Sequence, residues 1–328
     1  MVMTLHKLTA GDGYLYLVRQ VAAADTTERG RSTLADYYSA KGETPGRWLG
    51  RGLAALSDTG RIEVSDQART QFWTLEEGSG VSEDQMRSLY GEGLHPNADR
   101  IMGHAADAGL SPRLAVAASR LGHRFHRCDG EPEFARRLAV AFRDHNAEAG
   151  AHWNTTIAAD VRADIRTRVA RELFGEEYGR PPADDRELSG FIARSTRART
   201  TAVAGYDLTF SPVKSVSALW AIAPVAVAEQ VETAHDAAVA DVLEWLQDQA
   251  TFTRIGTNGV AQVDTEGLIA AAFTHRDSRA GDPDLHTHVA ISNKVCHVDA
   301  NGTRRWLALD GQPLHRVTVA ARELYNTR

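Results

Sequence analysis

Alternation of apolar and polar residues predicts strands near both ends of the chain. The segment YDLTF at 206–210 alternates as a half-buried strand does, and residues 3–9 form a shorter candidate that ends at a Gly-containing turn. Two apolar runs, at 267–275 and 285–295, flank a short polar link. This arrangement predicts an antiparallel hairpin. After a turn, residues 305–308 form one more candidate strand.

Apolar residues at helical spacing predict helices between and after these strands. Ser211 followed by Pro212 is typical of a helix N-terminus, so a helix is expected to begin there and to run through KSVSALWAIA. A second helix is expected over 231–246. Its predicted buried face consists of Val231, Ala234, Ala238, Val242 and Trp245. Further helices are expected from Tyr14 and from about Val317.

This order of elements predicts an α+β fold in one domain that spans residues 1–328. Strands and helices mix without a regular β-α-β alternation, which favours an antiparallel central sheet flanked by helices. Residues from about 103 to 195 are rich in Ala and Arg and helical in pattern, so we interpret them as a helical insertion. A chain of 328 residues with 43% hydrophobic content can bury a core of this size.

Charge and cysteine content narrow the cellular context without identifying a partner. The chain has 37 basic and 43 acidic residues, a net charge of -6, so nucleic-acid binding would need a local basic surface. No run of about 18 apolar residues occurs, so no membrane span or membrane partner is expected. The N-terminus has no apolar signal core, and the two cysteines form no CxxC pair. These features predict a cytoplasmic protein.

Three histidines on the predicted hairpin are the strongest candidate for a chemical site. His286 and His288 are two residues apart on one strand, so both side chains face the same side, and His275 ends the partner strand. Three imidazoles are a common ligand set for a divalent metal, and they leave positions open for water or substrate. Imidazole favours Zn, Fe, Ni or Cu, whereas Mg or Mn would need substrate phosphate oxygens as additional ligands.

An acidic residue and several tyrosines complete the candidate site. Asp207 on the predicted strand 206–210 either accepts the second N–H of a liganding histidine or acts as general base for a hydroxyl. Tyr14 and Tyr16 lie near the N-terminus, followed by Tyr37 and Tyr38. Most tyrosines are packing residues. A tyrosine that attacks phosphorus would need help from a metal, because its hydroxyl pKa lies near 10.

Three separate segments, in this order, resemble conjugative relaxases of the MobF class, which belong to the HUH endonucleases. The segment DYYSAKGETPGRWLGRG at 36–52 resembles their N-terminal tyrosine region. The segment GYDLTFSPVKSVSALWA at 205–221 resembles their strand–helix segment, and FTHRDSRAGDPDLHTHVAISN at 273–293 resembles their three-histidine motif. The resemblance covers roughly residues 1–100 and 200–328, and it implies the palm-like sheet of that family.

The resemblance implies an enzyme that nicks single-stranded DNA at a plasmid transfer origin and stays attached as a 5′-phosphotyrosine. It implies that His275, His286 and His288 hold a divalent cation (Mg, Mn or Zn) and that Asp207 lies beside it. Tyr14 best matches the first nucleophile. Tyr37 and Tyr38 match the second tyrosine set, although either is a candidate for the primary role. The implied partners are a hairpin in the transfer-origin DNA, relaxosome accessory proteins and a coupling protein.

This sequence departs from the family pattern in three places. Tyr14 and Tyr16 are separated by Leu15, whereas the family often has an adjacent pair, and residues 103–195 have no recognised counterpart. The chain ends at Arg328 without a Walker-type GxxxxGK[ST] motif, so later relaxase elements and a helicase are expected to be absent from it.

Besides four arginines in the helical insertion, which are Arg162, Arg166, Arg168 and Arg171, DNA contacts are expected from two further sets of basic residues. The first is a cluster before the Asp207 strand that consists of Arg194, Arg197 and Arg199. The second is Lys214, which could meet a phosphate at a helix N-terminus.

Three other functions remain compatible with these residues. A rolling-circle replication initiator uses the same chemistry, although here the tyrosines precede the histidines. A mononuclear metal hydrolase or oxygenase acting on a small molecule would use the histidines without Tyr14 or Tyr37. A DNA-binding module without catalysis would need neither the histidines nor the tyrosines.

Overall fold

The computed structural model describes residues 2–17, 46–59, 65–126, 133–195, 201–278 and 282–328. Over these ranges the chain is α+β, as predicted. The strands are Val2–Thr9 (β1), Arg47–Leu49 (β2), Val203–Ser211 (β3), Phe252–Ile255 (β4), Ala261–Asp264 (β5), Ala270–Asp277 (β6), Pro283–Ser292 (β7), Lys294–Val298 (β8) and Arg304–Ala308 (β9).

The α-helices differ widely in length. They are Asp66–Ala68 (α1), Glu83–Met86 (α2), Ala98–Asp107 (α3), Pro112–Ala118 (α4), Glu133–Glu148 (α5), Ala159–Tyr178 (α6), Asp185–Ser195 (α7), Lys214–Ile222 (α8), Val225–Gln249 (α9) and Gly311–Thr327 (α10). Short 3₁₀ segments occur at Arg51–Asp58 and Thr257–Gly259, and π-helical segments at Arg69–Trp73 and Arg87–Glu92. No helix in the described ranges has the length and hydropathy that a bilayer crossing requires.

A five-stranded antiparallel sheet in the order β1-β3-β7-β6-β2 forms the centre of the fold. The predicted hairpin corresponds to β6 and β7, and the predicted strands at 3–9 and 206–210 correspond to β1 and β3. The candidate at 305–308 is β9, which pairs with β8 in a separate two-stranded sheet. The ribbon of β4 and β5 was not expected from the sequence.

Each face of the central sheet carries its own apolar core. On one face, Leu208, Phe210 and Val289 pack with residues of α9 and α10. On the other face, Leu8, Trp48 and further buried side chains form a second core. Because successive residues of a strand point to opposite faces, the odd-numbered positions of β6 and the even-numbered positions of β7 share this second face.

The helix after Pro212 starts two residues later than predicted. The strand β3 continues through Ser211, and Val213 is the residue that precedes α8. A proline ring disfavours helical geometry in the residue before it, so Ser211 stays extended and Pro212 separates the strand from the helix.

The predicted buried face of α9 is partly wrong. Ala238 and Val242 are buried, but Ala234 is exposed, and His235 and Leu246 lie in the core instead. The polar side chain of His235 is accommodated there by contacts with Thr287 on the sheet and with Tyr325 on α10.

The helix α10 begins earlier than predicted, at Gly311 rather than at Val317. The carboxylate of Asp310 caps the first turn by accepting from the backbone N–H of Gln312.

The chain divides into two compact units. One unit consists of Met1–His126 with Ala202–Arg328, and the other consists of Arg127–Thr201. The second unit holds α5, α6 and α7, which pack around Phe134, Phe174 and Phe191. The helices α3 and α4, which the sequence pattern grouped with the insertion at 103–195, belong to the first unit.

Candidate functional site

The structure brings His275, His286 and His288 together on one face of the β6–β7 hairpin. His275 pairs with His286 across the two strands, and His288 lies two residues further along β7. The ring centroids are 5.2, 5.4 and 5.3 Å apart, and one possible ligand atom from each ring lies within 4.8 Å of the others. The spacing is suited to a single ion between the three rings.

The protonation and contacts of these rings fit a metal ion. Burial, followed by the neighbouring rings, lowers the pKa of His275 to about 3, and burial also lowers the pKa of His286. Neutral imidazole is the form that binds metals. The Nδ1 atom of His286 contacts the backbone oxygen of Asp284 at 2.7 Å, which leaves Nε2 for a ligand. Within the described part of the chain, Nε2 of His275 is buried without a hydrogen-bond partner, as a metal-facing atom would be.

Asp207 joins this histidine cluster to the neighbouring strand. It lies on β3, next to β7, and is almost fully buried. Nδ1–H of His288 donates to its two oxygens at 2.8 and 3.0 Å. This contact holds Nε2 of His288 towards the cluster and raises the basicity of the ring. The carboxylate has a second partner on the N-terminal segment.

That second partner is Tyr16, whose hydroxyl donates to Oδ2 of Asp207 at 2.6 Å. The ring of Tyr16 also meets the ring of His288 edge-on, with centroids 6.2 Å apart. One carboxylate therefore contacts a phenol hydroxyl and a candidate metal ligand at the same time. A phenol in contact with a base, beside a candidate metal site, is an arrangement in which the phenol oxygen can act as a nucleophile.

Tyr14, the tyrosine expected to act first, lies elsewhere. It is buried in the second core with Leu8, Leu17 and Tyr90. The backbone makes a helical turn after β1, in which Leu17 N–H donates to the oxygen of Tyr14. Residues three apart in such a turn share a side, so Tyr14 and Leu17 face the core together and Tyr16 faces Asp207.

The half-buried position of Tyr16 beside Asp207 affects its acidity. Burial first, and then the charge and hydrogen bond of Asp207, raise the pKa of Tyr16 far above its usual value of 10. The hydroxyl therefore keeps its proton at neutral pH. To act as a nucleophile it must pass that proton to a base, and Asp207 is in contact with it.

Several other predicted residues are not part of this geometry. Tyr37 and Tyr38 lie outside the described residues, as do Arg197 and Arg199. Arg194 is exposed near the end of α7. Lys214, expected at a phosphate, donates to the backbone oxygen of Pro283 at 2.8 Å and lies 3.7 Å from the Asp284 carboxylate.

One residue of the site was missed by sequence analysis. The hydroxyl of Thr209 lies 3.4 Å from Oδ2 of Asp207 and 3.2 Å from Nδ1 of His288. Thr209 pairs directly with His288 and follows Asp207 by two residues. The two-residue period of a strand would have placed it on the same face as Asp207.

A sequence profile of the family described as TrwC relaxase matches residues 10–328. Among characterised proteins, the chain is similar to the multifunctional conjugation protein TraI of Escherichia coli, with 38% identity over 155 residues. That alignment covers 47% of this chain and 8% of TraI, so the chain matches a small part of that relative.

Solved structures of relaxase TrwC are also similar. A copper-bound complex with oriT DNA has 19% identity and a TM-score of 0.41, covering 99% of this chain and 68% of that one. A complex with a 27-mer DNA comprising the recognition hairpin and the cleavage site has 28% identity and a TM-score of 0.34, covering 60% of this chain and 62% of that one.

Proposed function

Because the chain belongs to the TrwC relaxase family, we propose that it nicks single-stranded DNA at a plasmid transfer origin and becomes linked to the 5′ end. The observation that carries this proposal is the contact of Asp207 with both the Tyr16 hydroxyl and His288. We propose Tyr16, rather than Tyr14, as the first nucleophile. Tyr14 is buried in an apolar core, whereas Tyr16 has a base at 2.6 Å.

The reaction exchanges one phosphodiester bond for another. The oxygen of Tyr16 attacks the phosphorus, and Asp207 takes the phenol proton. The bond between phosphorus and the 3′ oxygen of the upstream strand breaks, and that oxygen takes a proton from solvent water and leaves as a 3′-hydroxyl. The downstream strand stays on the tyrosine as a 5′-phosphotyrosine. Since the number of phosphodiester bonds is unchanged, the same groups can run the step in reverse.

We propose that His275, His286 and His288 hold the divalent cation. When bound, that cation neutralises charge that builds up on the phosphate oxygens. The chain's own contribution is orientation: Asp284 and Asp207 fix the rings of His286 and His288 through their Nδ1 atoms. The same contact to Asp207 keeps the carboxylate directed at Tyr16.

The proposal extends to the setting of the reaction. We propose the cytoplasm as its location, a DNA hairpin beside the nick as its recognition element, and accessory and coupling proteins as partners. For the domain layout, we propose one relaxase domain in which the helical unit Arg127–Thr201 is an insertion.

A covalent-adduct assay tests this function. The purified chain would be incubated with Mn²⁺ and 3′-labelled single-stranded oligonucleotides tiled across the transfer origin of its own replicon. The label marks the strand that remains attached. We expect a protease-sensitive adduct that disappears with chelator, with Tyr16→Phe and with His286→Ala. No adduct from any oligonucleotide would contradict the function.

Tyr14→Phe is the matched control, because it keeps the ring in the core and removes only the hydroxyl. We expect it to retain adduct formation within about threefold, as surface and core positions outside the chemistry do. Full activity in Tyr16→Phe with loss in Tyr14→Phe, Tyr37→Phe or Tyr38→Phe would show that the nucleophile is assigned wrongly, while the class of enzyme stands.

A further inference from the structure

The face of the β6–β7 hairpin opposite the three histidines carries a buried chain of hydrogen bonds. Thr287 lies between His286 and His288 and points to this face. Its hydroxyl is 2.9 Å from the hydroxyl of Thr274 on β6 and 2.8 Å from Nε2 of His235 on α9. Nδ1 of His235 is in turn 2.8 Å from the hydroxyl of Tyr325 on α10.

Every atom of His235 that can form a hydrogen bond is therefore engaged. His235, Thr287 and Tyr325 are all buried, so an unpaired polar atom among them would be costly. Burial is the main cause that lowers the pKa of His235 to about 4, which leaves the ring neutral with one donor and one acceptor nitrogen. A neutral ring suits two hydroxyl partners that can each donate or accept.

This chain of contacts connects two helices to the middle of the histidine motif. Thr287 shares its peptide bonds with His286 and His288, so a movement of Thr287 shifts both rings relative to His275. The contact between Thr274 and Thr287 ties the same point of β7 to β6, next to His275. Ligand positions about 1 Å from their productive geometry weaken a metal site considerably.

We propose that His235 is a positioning residue for the metal centre, which fixes β7 between α9, α10 and β6 and so sets the distances among His275, His286 and His288. This inference rests on the proposed ligand assignment. His235 lies on the face of the hairpin opposite the three histidines, and its effect reaches the site through Thr287.

Metal affinity of the whole chain tests the role. Ni²⁺ would be titrated into the metal-free protein by calorimetry, with Cu²⁺ electron paramagnetic resonance as a report of ligand geometry. We expect His235→Leu to weaken Ni²⁺ binding by about tenfold or more and to alter the Cu²⁺ spectrum. We expect His235→Gln, which can still donate and accept, to recover most of the affinity.

Gln247→Leu is a matched control on the same helix. Gln247 is buried, and its oxygen accepts from the backbone N–H groups of Arg51 and Leu268, away from the histidines. We expect both leucine variants to lower the thermal midpoint by roughly 3–8 °C, but only the His235 variant to weaken metal binding. Should His235→Leu fail to fold, Thr287→Val removes the contact between Thr287 and His235, together with the contact between Thr287 and Thr274, at nearly constant shape. It is expected to weaken binding similarly.

The outcomes separate this role from the ligand assignment. If the wild-type chain binds no Ni²⁺, or His286→Ala binds it normally, the ligand assignment is wrong and this inference falls with it. If wild-type binding depends on His286 but His235→Leu and Thr287→Val both bind normally, only the positioning role is wrong. Equal losses in Gln247→Leu would also contradict it.

Discussion

At the scale of single residues, Asp207 connects the two halves of the site. Its carboxylate accepts from the Tyr16 hydroxyl and from Nδ1–H of His288. An amide in its place would keep the size of the side chain and could still accept from His288. It would be unable to take the phenol proton. The proposed nucleophile and the proposed metal ligand therefore depend on Asp207 for different properties.

We accordingly predict that Asp207→Asn slows adduct formation by about 10²–10⁴-fold. Ni²⁺ affinity should change by less than about tenfold, because the hydrogen bond to His288 has a substitute. Adduct kinetics and calorimetry on the same preparation measure the two effects. Equal losses of rate and metal affinity would mean that Asp207 acts on the metal site rather than as a base.

Thr209→Val is the companion variant. The Thr209 hydroxyl lies 3.2 Å from His288 and 3.4 Å from Asp207, longer than the other contacts of that carboxylate. We expect a loss of rate below about tenfold, since the hydroxyl supplies a weak hydrogen bond and no proton transfer.

The sequence predicted the position of the histidines better than that of the tyrosine. A two-residue period and a hairpin are enough to bring His275, His286 and His288 to one face. The choice between Tyr14 and Tyr16 depends on the direction of a single helical turn after β1, which local pattern does not specify. The contact of Tyr16 with Asp207 also joins residues 191 positions apart, beyond the reach of any local signal.

At the scale of elements, the close approach of β3 and β7 holds Asp207 against His288. Gly205 of β3 pairs with Ser292 of β7 in this strand pair. A Cβ at this position would stand 2.1 Å from the backbone oxygen of Ile291 and 3.3 Å from the ring of Tyr90. Both neighbours are buried, so neither has open space to move into.

We therefore predict that Gly205→Ala lowers the free energy of unfolding by about 2 kcal/mol or more. The strand pair must separate to admit the methyl group, so metal affinity should fall as well. Urea unfolding and Ni²⁺ calorimetry measure these effects.

Gly103→Ala provides the comparison, because a Cβ at Gly103 in α3 meets nothing within 4 Å. For this variant we expect the free energy of unfolding to rise by up to about 1 kcal/mol, because alanine has a higher helix propensity than glycine. An unchanged stability in Gly205→Ala would show that the strands tolerate a wider separation.

Elements with a strong local pattern were predicted well, and their ends were not. β3 alternates clearly, and β6 and β7 are apolar runs on either side of a polar link, but the start of α8 depends on the steric effect of Pro212 on Ser211. The burial of His235 depends on Thr287 and Tyr325, which are distant in sequence. β4 and β5 are four residues each and mostly exposed, so they carry no apolar period that would indicate them.

At the scale of the whole molecule, buried neutral histidines make stability depend on pH. Burial lowers the pKa of His95 and His235 from 6.5 to about 4, and that of His275 to about 3. Below pH 6.5 the unfolded chain therefore binds more protons than the folded chain. The free energy of unfolding therefore falls as the pH drops from 6.5 towards the pKa values of the folded state. The stability that the neutral histidines contribute is complete above pH 6.5.

We predict a loss of about 2 kcal/mol per histidine between pH 7.5 and 5 in metal-free protein, or about 6 kcal/mol for the three. Urea unfolding with a chelator present measures it. His95→Gln is the control. His95 Nε2–H donates to Trp73 and its Nδ1 accepts from Asn97 N–H, and a glutamine can replace both contacts. The pH dependence of the unfolding free energy should shrink by about one third. An undiminished dependence would show that the burial of His95 is not one of its causes.

The long separation between Tyr16 and Asp207 has a consequence for biosynthesis. β1 is synthesised well before its partner β3, because the two strands are far apart in sequence. At 5–20 residues per second, translation of the intervening 191 positions takes roughly 10–40 s. During that interval the nascent polypeptide carries an early phenol without its base, and the histidine hairpin emerges later still. A growing chain therefore cannot form the contacts among Tyr16, Asp207 and His288 until β3 and β7 have been synthesised.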